Sequence, residues 1–148
     1  ARRLISEADK RKVQLMLPRD VVIASAFANN AERRTVTCQE TPLEWRIMDI
    51  GPATAKEYSE VITKAGTVVW NGPMGVFEMD NFAEGTRSLA RAVAACRGLT
   101  IVGGGDSVAA IEQAGVADQI GHVSTGGGAT LELLEGRTLP GVAALLET

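Results

Sequence analysis

Residues 103–107 read Gly-Gly-Gly-Asp-Ser, between the apolar runs "LTIV" and "VAAI". Three adjacent glycines lose much conformational freedom on folding and add no side chain to a core, so something must need the backbone bare there. The device returns in "HVSTGGGATLELL", with Gly126, Gly127 and Gly128. Each triplet stands between a predicted strand and a predicted helix, at the sheet edge where open α/β sheets bind ligands. The first turn of a helix has free N–H groups and a partial positive charge. Glycines let an anion reach those groups without meeting a Cβ, so phosphate is the natural guest. A tight turn or close helix–strand packing would explain one triplet equally well. Two on one edge favour an anion site.

Neither triplet completes the dinucleotide fingerprint, because Val108 and Leu131 stand where its third glycine belongs, and no GxxxxGK[ST] loop is present. Asp106 would repel a phosphate at a helix start unless a divalent cation, commonly Mg²⁺, sits between them. Asp106 as an ordinary N-cap is equally compatible with the position. A third loop follows a strand in "VVWNGPMGVFEMDNF" (68–82). There Gly72, Pro73 and Gly75 shape the turn, Asn71 offers an amide, and Val76 and Phe77 offer apolar contact. Glu78 could accept hydrogen bonds from a pair of sugar hydroxyls, although spacing alone favours a solvent-exposed loop residue. Charge is uneven along the chain. Residues 1–65 hold 11 Lys/Arg against 9 Asp/Glu, and residues 66–148 hold 4 against 9, with no lysine. Positive charge for a polyphosphate must therefore come from outside this chain.

The elements that carry these loops alternate. "VQLML" (13–17) and "DVVIASAF" (20–27) read as strand-like, and residues 28–48 are polar and irregular, with "TVTC" (35–38) as a possible short strand. Pro52 and Gly66 bracket a helix whose stripe is Ala55, Tyr58, Val61, Ile62 and Ala65. "TVVW" (67–70) reads as a buried strand. Asn81 and Glu84 resemble a capping box opening a helix that buries Phe82, Leu89, Val93 and Cys96. "LTIV" (99–102), a helix from Val108 to Ala114 closed by Gly115, "GHVST" (121–125), and a helix from Ala129 to Glu135 closed by Gly136 complete the pattern. Such alternation with short connections predicts an α/β fold, a parallel sheet covered by helices.

The 148 residues suffice for one ordinary domain, and 45% apolar content supports a core. A net charge of −3 gives no general reason to expect nucleic acid. Cys38 and Cys96 have no motif spacing, which reads as a reduced, cytosolic chain. No apolar run approaches the ~18 residues of a membrane span, and no signal peptide opens the chain. There is no initiator Met, and the opening "ARRLISEADKRK" already reads as helix, so the chain is expected to begin inside a larger protein.

Four motifs in order, "DIGPATAKEY" (49–58), "VVWNGPMGVFE", "IVGGGDSVAAIEQAG" and "STGGGATLELLEGRTLPGVAAL", closely resemble the phosphoglycerate kinase family. The likeness runs through essentially the whole chain. It implies the C-terminal part of a two-domain enzyme: residues 1–148 as the later portion of a Rossmann-like, three-layer nucleotide domain, with helices on both faces of a parallel sheet. The implied reaction moves a phosphoryl group between 1,3-bisphosphoglycerate and ADP, giving 3-phosphoglycerate and Mg-ATP. The implied parent is a cytoplasmic, monomeric glycolytic kinase that takes Mg-ATP or Mg-ADP as substrate and uses Mg²⁺. No nucleic-acid or membrane partner is implied.

By the same resemblance Glu78 looks like the ribose acceptor, and Asn71 lies near the nucleotide phosphates. Gly103, Gly104, Gly105, Asp106 and Ser107 look like the phosphate and Mg-nucleotide loop, with Asp106 toward the metal. Gly126, Gly127 and Gly128 resemble the second loop, whose N–H groups face the phosphoryl group in transit. Gly105, Gly127 and Gly128 are thus the catalytic candidates. Thr125 would lie beside the interdomain hinge, and His122 is read as structural. The family's substrate domain, with its basic cluster, and the earlier strands of the nucleotide domain are missing from the chain, which accounts for the shortage of cations. Two other readings remain open: a non-catalytic nucleotide- or phosphate-binding α/β module, and a structural or interaction fragment that binds no nucleotide.

Overall fold

The computed structural model describes residues 2–124 and 126–146. Helix α1 (Arg2–Arg11) comes first, then strands β1 (Asp20–Ala24), β2 (Arg33–Thr37) and β3 (Arg46–Ile50). The order continues α2 (Pro52–Ile62), β4 (Thr67–Trp70), α3 (Glu84–Ala95), β5 (Leu99–Gly103), α4 (Gly105–Gln113), β6 (His122–Ser124), α5 (Gly127–Leu134) and α6 (Pro140–Leu146). The class is α/β as expected, with a parallel sheet β4-β5-β6 flanked by helices. A second, antiparallel sheet β2-β1-β3 precedes it. Of its strands, β1 falls within the expected run 20–27 and β2 overlaps the possible strand at 35–38, whereas β3, which starts in the polar stretch 28–48, was not expected.

Alternation in the parallel sheet sets what each face touches. Trp70, Thr100 and Val102 point inward and are buried; Trp70 and Val102 pack with Ala90 and Val93 of α3 and with Ala110 and Ile111 of α4. Thr67, Val69 and Leu99 occupy the opposite face with Ile101 and His122, and all of these but Ile101 are exposed. The expected buried strand at 67–70 is therefore buried on one face only. His122 lies exposed on that outer row.

Several local expectations are corrected. Residues 13–17 form no strand: they run unpaired, with Leu15 and Leu17 exposed and the Met16 carbonyl accepting the Tyr58 hydroxyl at 3.1 Å. Asn81 does not cap α3. It sits in a 3-10 turn, where its N–H and amide bond to Asn29 at 3.0 and 2.5 Å. Both glycine-led helices start earlier than expected, α4 at Gly105 and α5 at Gly127, so the last glycines of each triplet are helical. Gly115 and Gly136 close these helices with φ of 68° and 81°, as read. Helix α6 adds an element beyond those expected.

The caps of α2 and α3 come from the antiparallel sheet. Asp20 of β1 accepts the Ala53 and Thr54 N–H groups at 3.0 and 2.7 Å and the Thr54 hydroxyl at 2.6 Å. Burial works against the Asp20 charge, but these bonds outweigh it, and its pKa is lowered. Asp49 of β3 accepts the Gly85 N–H at 2.7 Å, in the first turn of α3, and the Ile50 N–H at 2.8 Å. It is only 3% exposed. Burial, helped by the nearby Glu84 charge, raises its pKa to about 6 against the pull of those two N–H groups. Asp49 thus binds its proton more tightly folded than unfolded. The stability this contributes is complete below 3.8 and is lost as pH rises through about 6. Between pH 7 and pH 4, wild type should gain roughly 2 kcal/mol relative to Asp49→Asn. Urea titrations of both proteins across that range test this; a difference independent of pH would refute it.

Candidate functional site

Because β4, β5 and β6 are parallel, their C-terminal ends share one edge, and Trp70, Val102 and Val123 stand side by side there. The three loops singled out in the sequence all leave from that edge. Gly104, the N-cap of α4, has φ 90°, a conformation open chiefly to glycine. A Cβ on Gly127 would lie 2.6 Å from the Gly104 Cα and 2.7 Å from its N. The two turns therefore touch backbone to backbone, and the N-termini of α4 and α5 are held side by side. The bland explanation of the glycines, close packing, is correct for Gly104 and Gly127.

It does not cover Gly105 and Gly128. A Cβ on either would meet nothing within 4 Å, so no internal contact demands a glycine at these first-turn positions. Their N–H groups, with those of Asp106, Ser107 and Ala129, precede the first intrahelical acceptors of α4 and α5. The paired helix starts offer donors and partial positive charge to an anion at one place.

Asn71 joins the two turns. Its Nδ2 donates to the Gly127 carbonyl at 3.3 Å, while its Oδ1 lies 3.0 Å from where a Gly104 Cβ would be. Gly103, buried at the end of β5, faces Gly127 and Asn71. Ser107 is 1% exposed, and its Oγ accepts the Gly72 N–H at 2.6 Å, tying α4 to the β4–α3 loop. Gly126 donates to the Ser124 Oγ at 3.3 Å, and its carbonyl accepts the Thr130 hydroxyl at 3.0 Å. Thr125 lies outside the described residues.

Asp106 is exposed in the first turn of α4. Gly104 holds the N-cap, so the capping alternative for Asp106 falls away. Glu78 is exposed on the β4–α3 loop, just past Val76, whose N–H donates to the Met48 carbonyl of β3 at 2.8 Å. Three of the four arginines after Gly66 pair with carboxylates: Arg87 with Asp80 at 2.5 Å, Arg91 with Glu84 at 3.5 Å and Arg137 with Glu135 at 3.1 Å. Among the described residues no three His, Cys, Asp or Glu side chains cluster to hold a metal, and no helix is long and apolar enough to cross a membrane. Sequence reasoning passed over Thr86 and Asp49, which brace the β4–α3 loop; a threonine inside a helix and an aspartate in a strand carry no spacing signal.

The family model for phosphoglycerate kinase matches residues 1–137. The chain belongs to the phosphoglycerate kinase family. It is 63% identical over 145 residues to a phosphoglycerate kinase of Roseiflexus sp. (strain RS-1), covering 98% of this chain and 37% of that protein. A Moorella thermoacetica phosphoglycerate kinase is 57% identical with the same 37% coverage of its length. Among solved structures, phosphoglycerate kinase from Coxiella burnetii superposes with a TM-score of 0.88 at 42% identity, covering 92% of this chain and 35% of that one. The Pyrococcus horikoshii phosphoglycerate kinase gives 0.82 at 36% identity, covering 98% and 36%. The chain thus spans little more than a third of the phosphoglycerate kinases it matches, and its fold corresponds to part of a domain.

The steric difference between the glycines is testable. Gly127→Ala should lower stability by roughly 2 kcal/mol or more, because the methyl would meet Gly104 backbone that cannot swing aside. Gly128→Ala should leave stability unchanged or slightly raised, since the methyl meets open space and alanine favours helix. Thermal midpoints read both, and equal losses would show that the turns are not in contact.

Proposed function

We propose that this chain is the nucleotide side of a phosphoglycerate kinase and works within a polypeptide of its relatives' length. In that enzyme a phosphoryl group passes between 1,3-bisphosphoglycerate and ADP, giving 3-phosphoglycerate and ATP. The observation that carries the reading is the contact of Gly127 on Gly104, which sets two helix N-termini against one another at the loop edge of the sheet. Family membership supports it independently.

In this reading Gly103, Gly104, Gly105 and Ser107 cradle the nucleotide phosphates through their backbone, with Asn71 beside them. Gly105, Gly127 and Gly128 aim N–H groups at the phosphoryl group in transit. The glycines at 105 and 128 leave room for its oxygens to approach. Phosphoryl transfer needs positioning and charge stabilisation more than covalent help, and fixed backbone dipoles supply both. The substrate is Mg-nucleotide. Magnesium is commonly held by one or two carboxylates together with phosphates and water, and the exposed Asp106 suits that role. Glu78 accepts from the ribose hydroxyls. The acyl-phosphate partner needs a basic pocket. With Arg87, Arg91 and Arg137 engaged by carboxylates, that pocket belongs to the remainder of the polypeptide. A monomeric, cytoplasmic kinase fits the same reading.

In a kinase of full family length carrying these residues, Asp106→Asn should lower kcat/KM for Mg-nucleotide by about a hundredfold. The exposed substitution should cost less than ~0.5 kcal/mol of stability. Turnover whose Mg²⁺ dependence is unchanged in the variant would remove the metal role. Residues 1–148 alone should show no turnover in a coupled assay with 3-phosphoglycerate and Mg-ATP, because an open, cation-poor site leaves its dipoles screened by water. Turnover at an ordinary kinase rate, ~1–100 per second, would show that this chain is sufficient. Calorimetric titration with Mg-ADP separates a module that binds without catalysis from a fragment that binds nothing.

A further inference from the structure

The β4–α3 loop, residues 71–83, carries both Asn71 and Glu78, yet it contains little regular structure of its own. Something must hold it in one shape. Thr86, in the first turn of α3, is 1% exposed, and its Oγ1 accepts the Met74 N–H at 3.1 Å and the Gly75 N–H at 3.2 Å. A hydroxyl oxygen has two acceptor sites, and both are used on consecutive amides of this loop. Gly75 is pressed there from the other side. A Cβ on it would collide with the Asp49 carboxylate and lie 2.6 Å from the Phe82 carbonyl oxygen. Asp49 in turn holds Gly85, the residue before Thr86. Upstream the Gly72 N–H is bound by Ser107, and downstream the Val76 N–H is bound by Met48. Thr86 thus closes the middle of a series of anchors running from α4 to β3.

We infer that Thr86 is a positioning residue for nucleotide binding: its hydroxyl pre-sets the loop that presents Glu78 and Asn71. The inference rests on the reading of that loop as the nucleotide loop. A loop already shaped loses less freedom when ligand binds, so its benefit falls on nucleotide affinity. It does not fall on the phosphoglycerate side or on the transfer step.

The test uses a phosphoglycerate kinase of full family length carrying these residues. Thr86→Val keeps the shape and removes the acceptor, and Thr86→Ser restores it. Thr86→Val should raise KM for Mg-ATP by about tenfold, with KM for 3-phosphoglycerate and kcat little changed, and Thr86→Ser should return KM close to wild type. A lowered thermal midpoint with an unchanged nucleotide KM would make Thr86 merely structural and overturn the inference. If Thr86→Val does not fold, amide exchange in the wild type decides. Protection of Met74 and Gly75 without nucleotide supports a pre-set loop, and protection gained only on adding Mg-ADP refutes it. Glu78→Ala runs in parallel. A KM raised by Glu78→Ala but not by Thr86→Val sinks this inference alone. A KM raised by neither sinks the nucleotide reading, and this inference with it.

Discussion

The backbone contact between Gly104 and Gly127 is the constraint on which the site depends. Two helices can bring their N-termini to one point only if nothing larger than hydrogen projects between them. The parallel sheet supplies the direction, because β5 and β6 must deliver their loops to the same edge. The glycines supply the proximity. Asn71 then spans the join, bonded to one turn and packed on the other. Such a contact contributes little apolar burial, and its value is geometric. It places two sets of free N–H groups where a single polyanion could meet both.

Around that contact the fold uses carboxylates as fasteners between layers. Asp20 and Asp49 lie on neighbouring strands of the antiparallel sheet, and each satisfies the first turn of a helix distant in sequence. A buried carboxylate is costly unless its lone pairs are occupied. At Asp20 the hydrogen bonds win and the charge is favoured; at Asp49 burial wins and the proton is favoured. The same kind of group in the same kind of role thus sits on opposite sides of its ordinary pKa, according to how much water each has lost. Through Asp49, Gly85 and Thr86 the antiparallel sheet also braces the loop that carries Glu78. The antiparallel sheet thus reaches the candidate site as well.

Part of the surface has the composition of an interior. Val69 and Leu99 stand on the open face of the parallel sheet, Leu15 and Leu17 lie along an unpaired segment, and Leu131, Leu133 and Leu134 are exposed on α5. The chain's coverage of its relatives, about a third of their length, is consistent with a portion of a larger packed structure.

From Pro52 to Gly136 the sequence by itself determined most elements. Helical stripes, apolar runs and glycine stops are local signals, and each is repeated within a few residues. It also suggested the anion proposed for the glycine turns, since a helix start without Cβ groups suits an anion wherever it occurs. The ribose role of Glu78 did not follow from spacing, and only the family motif around it suggested one. Tertiary structure alone decided the rest. The polar stretch 28–48 became strands because β1 offered a partner on each side. Residues 13–17, apolar enough for a strand, formed none because no neighbour pairs with them. Asn81 lost its expected cap to a contact with Asn29, and Asp49 took that position from 36 residues away. The two triplets look alike in sequence, yet Gly127 is required by packing while Gly128 meets open space. Periodicity is written within one turn or one strand. Contacts between residues far apart depend on register and layer spacing, which exist only once the chain has folded.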